Sequence, residues 1–114
     1  MPTLKTLGGN MNNQVSEITV NTFNVLCRMN DVMQDIIHLK NENRSISQRM
    51  KTLNGEVTKL SLHIAKATTN NKGNLRKRHS YCNLIRILEE SQKRNSKLIL
   101  NYRNEIQELR KELV

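Results

Sequence analysis

The stretch VSEITVNTFNVLCRMNDVMQDIIHLKNENRSISQRMKTLNGEVTKLSLHIAKA, residues 15–67, carries the periodicity that decides the fold. Steps of three and four residues in alternation pick out Val15, Ile18, Thr22, Val25, Met29, Val32, Ile36, Leu39, Asn43, Ile46, Met50, Leu53, Val57, Leu60, Ile64 and Ala67. Fourteen of these sixteen are apolar, whereas only 22 of the 53 residues in the stretch are, so the frame is not a by-product of composition. A mean spacing of 3.5 residues keeps one seam on one side of a slightly underwound helix, which is what a coiled coil requires. As one continuous helix the stretch would reach about 80 Å, at a rise of about 1.5 Å per residue.

Two sites test that continuity. Asn41-Glu42-Asn43-Arg44-Ser45 is polar over a full turn, and Asn54-Gly55 is a turn dipeptide. The frame is unchanged across both, which predicts a long amphipathic helix over 13–68; a pair of helices broken near 41–45 is the alternative. Upstream, Pro2 and the Gly8-Gly9 pair predict a flexible lead over 1–12. Downstream, Thr68-Thr69-Asn70-Asn71 has low helix propensity and Gly73 suits a helix C-terminus, so 69–79 reads as a linker. Ser80 is a reasonable N-cap for a C-terminal helix over 80–114. Its seam runs Ile85, Leu88, Gln92, Asn95, Ile99, Tyr102, Ile106, Leu109 and Leu113. The expected fold is all-α, with elongated coiled-coil-like helices.

Composition narrows the function. A chain of 114 residues allows one domain at most. Three aromatic residues, Phe23, Tyr81 and Tyr102, are too few for an ordinary globular core or for base stacking. No apolar run exceeds three residues, so no membrane span is expected, and no leader pattern opens the chain. Cys27 and Cys82 form no disulfide framework and suit a reducing compartment. His38, His63 and His79 are scattered without metal-ligand spacing, and no Gly-rich phosphate loop is present, so no catalytic, cofactor or metal site is expected.

The net charge is +9, from 19 Lys and Arg against 10 Asp and Glu. Nearly half of it sits in the linker, at Lys72, Arg76, Lys77 and Arg78. Leu75-Arg76-Lys77-Arg78-His79 reads as a nuclear import signal or a phosphate-contacting patch, and about equally well as a solvated connector. A leucine-zipper basic region is a poor reading, because the heptads after it run Leu84, Ser91, Leu98, Glu105. Sequence-specific nucleic-acid binding is therefore not expected.

An amphipathic helix must bury its stripe against something. The seam residues from Val15 to Ile64 and from Ile85 to Leu109, apart from the polar Thr22, Asn43, Gln92 and Asn95, are accordingly the expected partner interface. Between 20 and 37 the helix also carries Val20, Phe23, Leu26, Cys27, Met33 and Ile37 off the seam, which calls for more than one neighbour. Met29, Met33 and Met50 read as core fillers. The positions flanking the seam are mostly uncharged (Leu26, Met33, Lys40, Ser47, Asn54, Ser61), unlike the charge-paired edges of a parallel homodimer. A hetero-oligomer of helical subunits fits better, with Asn43 either fixing register or marking an exposed turn. Two narrow stripes bury too little area to order such a chain unaided, so isolated folding is not expected.

The segments Val20-Asn21-Thr22 to Gln34-Asp35-Ile36-Ile37 and Arg49-Met50 through Leu53, Val57, Leu60-Ser61-Leu62, Ile64 and Lys66 resemble Mediator complex subunit 30. The two segments cover about a third of the chain. The resemblance implies a nuclear, non-enzymatic head-module subunit, packed against other helical subunits and supporting transcription by RNA polymerase II. This sequence lacks the longer loops that the family commonly has between its helices. A cytoplasmic coiled-coil adaptor or tether is the alternative that the seam supports by itself.

Overall fold

The computed structural model describes residues 9–67 and 70–113, with side chains from Thr19 onward. Two helices make up the fold: α1, Gly9–Lys66, and α2, Lys72–Glu112. No strand occurs among the described residues. The all-α, coiled-coil-like architecture follows directly from the period of the apolar residues.

Helix α1 is unbroken for 58 residues, and it runs through both 41–45 and Asn54-Gly55. The alternative of two helices is thereby corrected. Asn43 is half-buried and hydrogen-bonded across to α2, so the polar turn belongs to the helix contact. Gly55 is exposed, and the space where its Cβ would lie is empty, so it weakens the helix without stopping it. At the other end α1 already includes Gly9–Asn12, four residues of the expected lead; the rest of that lead lies outside the described residues.

The linker is shorter than the expected 69–79. Helix α2 starts at Lys72, eight residues before Ser80, and takes in the whole basic run. The sequence supplies the reason. The Asn70 Oδ1 accepts the Lys72 N–H at 3.1 Å, and the Asn71 carbonyl accepts the first helical bond from Leu75 at 2.9 Å. Asn is a strong capping residue, and the Lys, Arg and Leu that follow are good helix formers. Gly73 therefore sits in the first turn of α2 and does not terminate α1. Asn71 Nδ2 also donates to the Ile64 carbonyl at 3.4 Å, near the end of α1.

Contacts divide the chain into two units, each built from a segment of both helices. One joins α1 up to Ile36 with α2 from Asn101. Val25, Val32 and Ile36 are buried there with Ile106 from α2, and Arg28 Nε donates to Glu105 at 2.7 Å. The other unit, Ile37–Leu100, is an antiparallel helical hairpin that buries Ile46, Leu60, Leu88, Asn95 and Ile99.

Candidate helix–helix interface

Every buried side chain among the described residues lies on one of the two seams. Val25, Val32, Ile36, Ile46 and Leu60 come from α1, and Leu88, Asn95, Ile99 and Ile106 from α2. Val32 alone among the described residues is fully enclosed, at 0% exposure. Met29, Leu39, Met50, Leu53, Val57, Ile64, Ile85, Tyr102 and Leu109 are half-buried on the same lines. Thr22, Ala67 and Leu113, where the frame runs out, are exposed. The side chains of Val15 and Ile18 lie outside the described residues. With two helices among the described residues, what covers each seam is the other helix. The residues that the periodicity marks for a partner are thus brought together within the chain itself, an intramolecular cover for the two stripes that the expectation of partner-dependent folding leaves out.

The polar positions of the two seams also meet. Asn95 Nδ2 donates to Asn43 Oδ1 at 3.0 Å. Gln92 Nε2 donates to the Asn43 carbonyl at 3.0 Å and to Ser47 Oγ at 2.6 Å. Asn43, Gln92 and Asn95 therefore form one hydrogen-bonded layer in an otherwise apolar hairpin. No buried side-chain polar atom lacks a partner among the described residues. Buried amides that satisfy each other favour one alignment of the helices, because a shifted register strands them.

Other expectations end differently. Met33 is 49% exposed, so it is not a core filler; its position just after the seam residue Val32 turns it outward. Val20, Phe23, Leu26 and Ile37 are exposed by 57%, 64%, 50% and 49%, and Cys27 is exposed beside them in sequence. Cys82 is half-buried, and His38, His63 and His79 are exposed. No group of three His, Cys, Asp or Glu side chains converges among the described residues.

The basic run has become helical surface. Arg78 Nε donates to Ser61 Oγ at 2.9 Å, and the Lys77 ammonium sits 5.9 Å from the Tyr81 ring centroid. Lys59 and Lys66 of α1 belong to the same unit as Lys72, Arg76, Lys77, Arg78 and Arg86 of α2, and residues 57–88 contain no Asp or Glu. The charge concentration is thus wider than the linker in which its densest part was read. In the other unit, the hydrogen bond that Arg28 donates to Glu105, and then the Glu105 charge, raise the Arg28 guanidinium above its ordinary pKa; Asp31 and Asp35 add to this. A raised pKa adds stability that is lost only as pH climbs through that value. The Arg28 guanidinium is therefore no switch near neutrality.

A second feature of the hairpin escaped the reading of the sequence. Lys40, Asn43, Arg44, Ser47, Gln48 and Lys51 line an open groove of about 550 Å³. These positions are three or four residues apart on one face of α1, where side chains are neighbours. In the sequence its signal is a run of uncharged or basic residues beside the seam, at three- and four-residue spacing.

Residues 27–114 match the KIF21A-like domain. The chain belongs to the KIF21A-like domain family. No curated protein and no solved structure matches it. The KIF21A-like region opens at Cys27 and takes in the rest of α1, the Asn-capped connection and all of α2. Both seams from Met29 onward, the polar layer and the groove lie inside it. Val20, Phe23 and Leu26 precede it.

Proposed function

We propose that this chain is a non-enzymatic coiled-coil module, an adaptor or tether that works in the cytoplasm by packing its helices against helices of other proteins. One observation carries this reading. The seams are satisfied within the chain, yet α1 still turns Val20, Phe23, Leu26 and Met33 to solvent, each about half exposed or more. Bulky apolar side chains repeated along one helix are what a further helix covers, and contiguous exposed apolar surface marks interaction sites. The family supports the same reading, since the KIF21A-like domain is a coiled-coil region of the kinesin family. No helix among the described residues is long and apolar enough to cross a membrane.

Photo-cross-linking in cells tests the reading. A photoreactive residue at Phe23 or Met33 is expected to capture helical proteins, and one at Lys111 is not. Finding no specific cross-link from the α1 positions would sink it.

The two segments similar to Mediator complex subunit 30 support a second reading, a hetero-oligomeric subunit of that nuclear complex. The same cross-links would then reach Mediator head subunits. Nuclear accumulation would also be expected to fall in Arg76→Ala/Lys77→Ala/Arg78→Ala. Cytoplasmic partners alone would remove this second reading and keep the first.

A further inference from the structure

The groove on the Ile37–Leu100 hairpin is lined by polar and basic side chains of α1. Its walls carry Lys40, Arg44 and Lys51, all exposed and none paired with a carboxylate. Asn43 and Ser47, at the edge of the polar layer, line it as well. The Ser47 oxygen accepts from Gln92, which leaves the hydroxyl hydrogen to be donated outward. None of the described carboxylates of α1, Asp31, Asp35, Glu42 or Glu56, lines it. Three unpaired cations with amide and hydroxyl donors in one concavity make a surface for an anionic partner.

The arrangement also states the partner's form. Lys40, Arg44, Gln48 and Lys51 follow one another at helical intervals, over about 16 Å at a rise of about 1.5 Å per residue. One turn before Lys40, on the same face, stands Ile37, 49% exposed. A second helix laid along this face would match the spacing residue for residue and cover Ile37. A nucleic-acid backbone would have no use for that isoleucine. Nor does any aromatic ring line the groove to stack a base.

We propose that this groove is a docking surface for the acidic helix of a partner protein, with carboxylates one helical turn apart and an apolar side chain against Ile37. It names the chemistry of one contact within the assembly reading above. It concerns a different set of side chains from Phe23 and Met33, so either proposal can fail without the other.

A displayed library of amphipathic helices, randomised to Glu, Gln or Lys at its outward positions and selected against the full chain, tests it. The expected winners carry Glu at helical-turn spacing and bind the Lys40→Glu/Arg44→Glu/Lys51→Glu chain at least about tenfold more weakly, roughly 1.4 kcal/mol. Circular dichroism of that variant checks that both helices persist, and Lys40→Gln/Arg44→Gln/Lys51→Gln gives the same comparison should the reversed chain unfold. Winners without acidic spacing, or equal binding to the glutamine variant, would overturn the proposal. So would displacement of the selected helices by duplex RNA at stoichiometric concentration, which would make the groove a phosphate surface.

Discussion

Asn43 shows how one side chain settles a question that its neighbours leave open. Read along the chain, it is a polar interruption of the seam; across the hairpin it is half of a hydrogen-bonded pair with Asn95. Replacing it by Leu strands the Asn95 amide, with an expected loss of about 1–3 kcal/mol in urea unfolding. Asn43→Leu together with Asn95→Leu should recover most of that stability, while disulfide trapping of engineered cysteine pairs should reveal more than one helix register. A single register in the double variant would show that the apolar layers alone fix the alignment. Val32 and Phe23 give the opposite contrast. Val32→Ala removes packing from the one fully enclosed side chain and should cost about 2 kcal/mol. Phe23→Ala, at 64% exposure, should leave the unfolding midpoint of the isolated chain nearly unchanged. Gly55→Ala should stabilise by about 0.5–1 kcal/mol, because the position is helical, exposed and open to a methyl group.

At the scale of the elements, the helix ends were harder to read than the helices. The start of α2 was expected at Ser80 because Gly73 and four weak helix formers precede it; two asparagines outweigh them by capping Lys72. Asn70→Ala is therefore expected to lower stability by about 0.5–2 kcal/mol. The loss should show first as faster hydrogen exchange of the amides from Leu75 to Ser80, before those around Leu88. Uniform acceleration along α2 would instead mean that the cap is not local. Surface charge pairs were legible in kind but not in partner. Glu90 suits Arg94 by its four-residue spacing, yet it faces Arg86 at 3.6 Å, while Arg94 donates to Ser91. Exposed pairs of this sort differ by little energy, so several arrangements compete closely.

For the molecule as a whole, charge sets the conditions for stability. Seven Lys and Arg and no carboxylate fall within residues 57–88, where the hairpin gathers them. Their mutual repulsion opposes folding and is screened beyond about 10 Å at 0.1 M salt. The melting temperature of the chain should therefore rise between low and moderate NaCl. A fall would mean that attractive pairs such as Arg28–Glu105 dominate. Any helix that covers the outward face of α1 should raise it further by mass action.

The 3.5-residue spacing of Val, Ile, Leu and Met determined by itself that the chain is helical, and its frame runs through every side chain that is buried among the described residues. Periodicity is local, and burial follows it wherever any helix supplies the cover. What covers each seam was decided by the tertiary structure alone, since a seam presents the same pattern to a neighbouring protein as to its own chain after a turn. The Asn-capped connection at 70–71 lets α2 fold back, and the amide layer at Asn43, Gln92 and Asn95 rewards the register in which it does. Contacts that join residues some fifty positions apart leave no trace in the spacing of either helix.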